Sequence, residues 1–265
     1  MKIFITADME GLSTTSSWND CKPDKEEYKK HVEELNKEVL AACNGAIKAG
    51  AKEIVIRDAH HNADNIDINI LPSCASLIRG WSGSPYLMVD GINNTFDASI
   101  FIGYHSAASK SGNPLSHTET RKIQYVKIND TIASEFMIYS YASLYNQVPP
   151  VFLSGDKMLV DESKLLYPNL ITVPVKEGIG NSVICYNPKN VLINIEKEVE
   201  RSLKQDLSKY LTSLPINYKL EICYKNHSDA YNYSFFPGVK LINDNTLMFE
   251  TNDYYELLRV FKFIS

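Results

Sequence analysis

Short apolar segments recur along the chain without polar alternation, and each of them ends in polar residues. The clearest lie at residues 3–5, 53–57, 97–102, 149–154 and 170–175. Uninterrupted apolar runs of this length are typical of strands that are covered on both faces of a sheet. Segments with helical periodicity lie between them. This alternation predicts an α/β fold, with a mainly parallel central sheet flanked by helices.

The first predicted helix lies between the first two strands. Pro23 and Asp24 indicate its start and Gly50 its end. One face carries apolar residues at helical spacing: Val32, Leu35, Val39, Ala42, Cys43, Ala46 and Ile47. His31 stands among charged neighbours near the start, and we interpret it as a solvated residue rather than a ligand. A second helix is predicted from Ser134 to Asn146.

The pattern changes in two later segments. Alternation over residues 120–132, around Asn129-Asp130, predicts a β-hairpin insertion. From Pro188 onward, amphipathic helices and alternating strands predict a smaller α+β lobe. We therefore expect a larger α/β catalytic lobe at residues 1–187 and a smaller lobe at residues 188–265, which serves assembly or covers the site.

Composition excludes several classes of partner. The 265 residues carry a net charge of −5 and no basic stripe, which argues against a nucleic-acid partner. No apolar run reaches the ~18 residues of a membrane-spanning helix. The first residues become acidic too early for a signal peptide, so we expect a cytoplasmic protein. Five scattered cysteines without a C-x-x-C pair argue against a disulfide framework or zinc ribbon and indicate buried free thiols.

Acids and histidines collect at the ends of the predicted strands. The first strand ends in Asp8 and Glu10, the second in Asp58 and His60, and the third in His105. Ligands of open α/β sheets bind beyond the carboxyl ends of the strands, where these side chains should meet. Alternate residues of an extended chain point to the same side, so Asp8 and Glu10 can face one site.

This set of side chains is suited to a metal ion. Neutral imidazoles and carboxylates bind zinc and other first-row divalent ions. His117 and Glu135, which begins the second predicted helix, are further candidates. Taken singly, a strand-end Asp usually caps a turn and a strand-end His is usually a hydrogen-bonded neutral group. Spacing alone leaves a metal site and these ordinary roles both open.

The same residues carry a resemblance to a known family. The chain resembles the M55 peptidases, D-aminopeptidases of the dipeptide-transport-associated type, whose motifs follow in the same order over nearly the whole chain. The matching positions are Thr6-Ala7-Asp8-Met9-Glu10-Gly11, Asp58-Ala59-His60, Gly103-Tyr104-His105, His117-Thr118, Ser134-Glu135, Gly155-Asp156 and Val175-Lys176-Glu177-Gly178.

The resemblance implies a zinc-dependent aminopeptidase with two Zn²⁺ ions per chain. Asp8 would bridge the ions, Glu10 and His60 would complete one site, and His105 and Glu135 the other. His117 matches the catalytic histidine. The implied reaction is hydrolysis of short peptides with an N-terminal D-amino acid, through a water that bridges the metals. The resemblance also implies a homo-oligomer, a ring-shaped decamer with its sites facing an enclosed space.

Several neighbours of these residues depart from the family pattern, although no implied ligand is lost. Ala59 replaces a Ser, His61 a Gly, Arg57 an Asn and Ser134 a Gly, and residues 119–121 replace small residues. These changes affect the walls of the site and hence the substrate. We expect His61 to line the pocket rather than to bind metal. Asp58 either accepts a hydrogen bond from a ligand imidazole or caps the loop.

Two other functions remain open from the sequence. A phosphohydrolase of the haloacid-dehalogenase type also begins with a strand that ends in two acids, and Asp156 with Asp161 resembles its late acidic motif. Alternatively, the departures around His60 and His117 fit a metal-binding oligomeric scaffold that has lost peptidase activity.

Overall fold

The computed structural model describes residues 1–265, which form twelve strands and six α-helices. The strands are β1 (Lys2–Ala7), β2 (Glu53–Asp58), β3 (Ala75–Ile78), β4 (Ala98–Tyr104), β5 (Ile123–Ile128), β6 (Thr131–Ile132), β7 (Pro150–Asp156), β8 (Ile171–Ile179), β9 (Ser182–Cys185), β10 (Tyr218–Tyr224), β11 (Lys240–Asn243) and β12 (Thr246–Thr251). The helices are α1 (Tyr28–Lys48), α2 (Glu135–Tyr145), α3 (Lys157–Leu166), α4 (Pro188–Leu203), α5 (His227–Tyr233) and α6 (Tyr254–Ile264).

The main sheet has seven strands in the order β3-β2-β1-β4-β7-β8-β9. All neighbours are parallel except β8 and β9. The predicted α/β fold with a mainly parallel sheet is therefore confirmed. Ala7 of β1 pairs with Asp58 of β2 and with Ile102 of β4. The carboxyl ends of these three strands thus finish almost level, and the residues that follow them share one edge.

A second, antiparallel sheet has the order β11-β12-β10-β5-β6. The predicted hairpin is confirmed, since β5 and β6 pair through Lys127 with Ile132 and Ile128 with Thr131. Asn129 and Asp130 form the turn with φ of 50° and 66°, a left-handed conformation that Asn and Asp tolerate better than most residues. The hairpin joins strands that come from the C-terminal part of the chain.

The two faces of the main sheet are covered by two separate apolar clusters. Helices α1 and α4 pack together, and their buried residues join the cluster on one face of the sheet. Helices α2 and α6, with the second sheet, form the cluster on the other face. Elements from both sides of residue 187 contribute to each cluster. The division into lobes at residues 1–187 and 188–265 stays a prediction.

Two details of the first helix differ from the prediction. Helix α1 begins at Tyr28, because residues 22–25 form a turn in which the Lys25 N–H donates to the Lys22 carbonyl at 3.0 Å. His31 is half-buried, with Nδ1 3.1 Å from Thr15 Oγ1 and Nε2 3.5 Å from an Asp20 carboxylate oxygen. The interpretation of His31 as a solvated residue is wrong, because the loop after β1 folds over it. No helix is both long enough and apolar enough to cross a membrane.

Candidate metal centre

The loop after β1 and the end of β4 approach each other closely at the carboxyl edge of the main sheet. The Asp8 N–H donates to the Ile102 carbonyl at 2.9 Å, and the Gly11 N–H donates to the Gly103 carbonyl at 2.8 Å. A Cβ atom on Gly11 would lie 1.8 Å from the Tyr104 carbonyl oxygen, and Gly103 has a φ of +70°. The two motif glycines therefore permit the approach that brings Asp8 beside the residues following β4.

Five predicted ligands meet at this edge, and all are between 0 and 5% exposed: Asp8, Glu10, His60, His105 and Glu135. Asp8 Oδ1 lies 3.3 Å from His60 Nδ1, whereas Asp8 Oδ2 lies 3.5 Å from His105 Nε2. Glu10 Oε2 is 2.9 Å from His60 Nδ1, and Glu135 Oε2 is 3.2 Å from His105 Nε2. Asp8 thus stands between two pairs, each made of one acid and one imidazole.

Several atoms of this cluster are buried without a well-oriented hydrogen bond. They are Asp8 Oδ2, Glu10 Oε2 and His105 Nε2. Buried polar atoms normally have a partner, because leaving them without one costs free energy. Donor atoms of Asp8, Glu10 and His105 also lie within 4.8 Å of one another. This N/O donor set fits a divalent cation such as zinc.

Backbone carbonyls orient both imidazoles toward the acids. His60 Nε2 lies 2.9 Å from the Cys21 carbonyl oxygen, and His105 Nδ1 lies 2.9 Å from the Ser106 carbonyl oxygen. Donation to these carbonyls leaves His60 Nδ1 and His105 Nε2 to face the carboxylates, as is usual for histidines that bind metals. No sequence pattern indicates the Cys21 contact, because thirty-nine positions separate Cys21 from His60.

Electrostatics in the cluster favour a cation. Burial, together with the charge of Glu10, raises the pKa of Asp8 to about 7. Burial alone would favour a neutral His105, but Glu135, Asp8 and Glu10 together outweigh it and raise the pKa of His105 to about 10. Burial opposes the charged form of His60 as well, but Glu10 and Asp8 together raise its pKa well above the ordinary value. The acids thus retain protons on the imidazoles, and a bound divalent cation would displace those protons.

His117, the predicted catalytic residue, lies directly beside this cluster. Its ring stacks on His105 with centroids 4.4 Å apart. Nδ1 lies 2.9 Å from the Leu115 carbonyl oxygen, and Nε2 lies 3.8 Å from Glu135 Oε1. Burial and the neighbouring His105 charge lower the pKa of His117, which favours its neutral form. When Nδ1–H donates to the Leu115 carbonyl, the lone pair of Nε2 is on the side of the ring that faces Glu135.

Helix α2 positions Glu135 through its N-terminal cap. The Met137 N–H donates to Ser134 Oγ at 3.1 Å, so the serine that replaces the family glycine caps the helix. Glu119 is another residue that departs from the family pattern. It has a φ of +60°, and its backbone N–H donates to Glu135 Oε1 at 2.7 Å. Its side chain accepts a hydrogen bond from Tyr139. Burial and the charge of Glu135 raise the pKa of Glu119 to about 8.

Two buried charged residues support the loops of the site. Asp58 accepts hydrogen bonds from the backbone N–H groups of Asn65 and Ile66, at 2.6 and 2.9 Å, and from Asn65 Nδ2 at 2.7 Å. Of the two predicted roles of Asp58, the structure therefore supports the loop cap. Lys176 Nζ donates to the carbonyls of Glu10 and Thr15, at 2.5 Å each. The sequence singled out Lys176 only as part of a motif.

Asp156 and Asp161, the two acids that resemble the late phosphohydrolase motif, take part in structural contacts. Asp156 accepts hydrogen bonds from Ser106 N and Oγ, at 2.6 and 2.5 Å, and from the Leu159 N–H at 3.0 Å, which caps α3. Asp161 is exposed and pairs with Lys157. Both residues have structural partners, so they do not complete a second acidic site.

A cavity of about 400 Å³ opens over the cluster. Two aromatic side chains, Trp18 and Trp81, line it together with His61 and Arg121. His61 is exposed, and its ring centroid lies 6.0 Å from that of His60. The walls therefore contain several of the positions at which the chain departs from the family pattern.

Comparison with known proteins agrees with the fold. The family model Peptidase_M55, described as D-aminopeptidase, matches residues 1–263. The chain belongs to this family and is an enzyme of the peptidase class, as predicted.

Two relatives from Bacillus subtilis define the similarity further. The chain is 29% identical to a D-aminopeptidase of strain 168 over 259 residues, which span 97% of this chain and 93% of the relative. It also resembles the solved structure of DppA, described as a Zn-dependent D-aminopeptidase and a self-compartmentalizing protease. The TM-score is 0.92 and the identity 26%, over 100% of this chain and 96% of that chain.

Proposed function

We propose that this chain is a zinc-dependent aminopeptidase that removes an N-terminal D-amino acid from short peptides, with two zinc ions per chain. The observation that carries the proposal is the position of Asp8, whose two carboxylate oxygens face different acid–imidazole pairs. A carboxylate placed in this way suits a pair of cations better than a single one. Membership of the D-aminopeptidase family gives independent support.

The ligands of the two ions follow from this arrangement. Glu10 and His60 would hold one ion, His105 and Glu135 the other, and Asp8 would contact both. Bound zinc would activate a water molecule that bridges the ions and polarise the scissile carbonyl. His105 follows β4 and Glu135 begins α2. The second site therefore requires that the end of β4 and the start of α2 lie close together.

The proton transfers would be performed by His117. Its Nε2 can accept a proton from water and deliver it to the leaving amine, because the Leu115 carbonyl accepts from Nδ1 and fixes the tautomer. The lowered pKa of His117 keeps a neutral base available near neutral pH. The carbonyl oxygen of the Glu119 side chain, which lines the cavity, can accept a hydrogen bond from the ammonium group of the substrate.

The assembly and location are part of the same proposal. The DppA relative is self-compartmentalizing, and we expect this chain to form a homo-oligomer that encloses its sites, a ring-shaped decamer in the cytoplasm. Light scattering coupled to size-exclusion chromatography measures the mass directly. A monomer at working concentration would contradict this part of the proposal.

Zinc content measured together with peptide hydrolysis tests the function. We expect about two zinc ions per chain, hydrolysis of D-alanyl-glycine in preference to L-alanyl-glycine, and loss of both zinc and activity on chelation. The variant His105→Ala should lose zinc and activity, while the control His227→Ala, at an exposed histidine of α5, should retain both.

Other outcomes separate the alternatives. Two zinc ions without hydrolysis across a peptide panel would support the metal-binding scaffold. Turnover of a phosphate monoester with magnesium would support the phosphohydrolase. Equal rates on the D- and L-peptides would reject the proposed specificity but leave the peptidase intact.

A further inference from the structure

Arg121 is a cation at the cavity that has no hydrogen-bonded or ion-paired partner in the protein. Its guanidinium carbon lies 4.4 Å from the centroid of the Trp18 ring, and the side chain lines the cavity. It takes part in no ion pair, and none of its nitrogen atoms donates a hydrogen bond to the protein. Each of the other four arginines donates to a carbonyl or carboxylate: Arg57, Arg79, Arg201 and Arg259.

The side chains that line the cavity carry charges of both signs. The acidic residues among them are Asp8, Glu10, Glu119 and Glu135. Arg121 is the only lysine or arginine among the lining residues. A ligand that bears an ammonium group and a carboxylate would therefore find a complementary charge for each group.

The size of the cavity limits the ligand. A volume of about 400 Å³ lies in the lower part of the ~300–1,000 Å³ range of small-molecule pockets. An extended peptide spans only ~3.3–3.6 Å per residue. Both charged ends of a dipeptide or tripeptide can thus lie inside one cavity of this size, whereas the carboxylate of a long peptide lies outside it.

We propose that Arg121 binds the C-terminal carboxylate of a dipeptide or tripeptide substrate and so restricts the enzyme to short peptides with a free carboxyl end. This inference rests on the proposed peptidase function. The planar guanidinium can donate two parallel hydrogen bonds to a carboxylate. Its stacking on Trp18 holds the group in place before the ligand arrives, which reduces the entropy lost on binding.

Hydrolysis of D-alanyl-glycine and D-alanyl-glycinamide by the zinc-loaded enzyme tests the proposal. We expect wild type to favour the acid by about tenfold or more in kcat/KM, and Arg121→Gln to lose this preference because its rate falls more on the acid than on the amide. A tenfold preference corresponds to about 1.4 kcal/mol. Arg121→Lys should retain part of the preference. The control Lys122→Gln removes the same charge from the next residue, which pairs with Asp229 outside the cavity, and should retain all of it.

Arg121 could instead act only by holding Trp18 against His117. The ring centroids of Trp18 and His117 are 5.3 Å apart. In that case Arg121→Gln would slow both substrates equally, and the proposal would be overturned. Equal rates of wild type on the acid and the amide would overturn it as well.

Binding without hydrolysis separates this inference from the proposed function. The only two tryptophans of the chain, Trp18 and Trp81, both line the cavity, so intrinsic fluorescence reports on its occupancy. The probes are a ketomethylene analogue of D-alanyl-glycine, which cannot be cleaved, and its C-terminal amide. Tighter binding of the acid by wild type but not by Arg121→Gln supports the inference even if no peptide is hydrolysed. Equal affinity, or no fluorescence change with either probe, contradicts it.

Discussion

Asp8 and Asp58 occupy nearly equivalent places at the ends of neighbouring parallel strands, yet their surroundings differ. Both are buried, with 3% and 0% of their surfaces exposed. Asp58 accepts three hydrogen bonds from Asn65 and Ile66, so its carboxylate is satisfied within one loop. Asp8 faces two imidazoles, and its Oδ2 has no well-oriented hydrogen bond. A buried carboxylate with local amide partners stabilises the fold, whereas one without them indicates a ligand from outside the chain.

The largest expected effect comes from Asp8→Asn. We expect zinc content to fall from about two ions per chain to one or fewer. Activity should fall by more than the ~10–100-fold typical of residues that only support a ligand. The free energy of unfolding of the zinc-free variant should equal or exceed that of zinc-free wild type, because the substitution removes one of three mutually repelling acids. Elemental analysis and denaturant titration measure these effects.

Asp58→Asn is the matched control for that substitution. Its zinc content should stay at the wild-type level, while the free energy of unfolding falls by about 1–3 kcal/mol, since buried N–H groups lose an ionised acceptor. If Asp58→Asn lost zinc and Asp8→Asn did not, the roles assigned to the two aspartates would be reversed.

A smaller effect is expected for Lys176→Met, which tests how the loop after β1 is held. The substitution leaves the carbonyls of Glu10 and Thr15 without their buried donor. Displacement of Glu10 should weaken zinc binding by about 10–100-fold, as is typical when a residue that orients a ligand is removed. Competition with a zinc-binding dye measures the affinity. Unchanged affinity would mean that Lys176 stabilises the loop without orienting Glu10.

The last prediction concerns Glu38, a buried acid of which only one side-chain oxygen has a hydrogen-bond partner. Ser13 N donates to its Oε1 at 3.3 Å, whereas Oε2 has no partner. Burial, followed by the charge of Glu34, raises the pKa of Glu38 to about 8. The folded protein therefore retains this proton at pH values where the unfolded chain has lost it, so stability is full below about pH 4.5 and falls as the pH rises toward 8.

Glu38→Gln should remove this contribution. At pH 9 we expect the variant to exceed wild type in free energy of unfolding by about 1–3 kcal/mol, and at pH 4.5 the two should be alike. Denaturant titrations of the zinc-free proteins at both pH values make the comparison. A difference that is the same at both pH values would mean that the Glu38 side chain acts by packing rather than by charge.

The sequence predicts the sheet and the positions of the candidate metal ligands better than it predicts the contacts that support them. Continuous apolar runs mark strands buried on both faces, and the carboxyl ends of such strands meet by topology, which is why Asp8, His60 and His105 could be placed at one edge. The Lys176 contact joins residues 166 positions apart. Periodicity carries no information about such a contact, so the role of Lys176 could not be deduced.

Local charge likewise misled the interpretation of one residue. The charged sequence neighbours of His31 predict a solvated ring, but the loop after β1 folds onto the helix and brings Thr15 and Asp20 to that ring. The sequence distinguishes Glu119 only as a departure from the family pattern. Its contact with Glu135 depends on a left-handed backbone conformation that the residue type does not predict.

The central claim is that Asp8 contacts two zinc ions, and anomalous X-ray scattering at the zinc edge tests it most directly. In crystals grown with zinc, we expect two anomalous peaks in each chain, one beside Glu10 and His60 and the other beside His105 and Glu135, each within ~2.0–2.2 Å of an Asp8 oxygen. A single peak, or two peaks that Asp8 does not contact, would contradict the account.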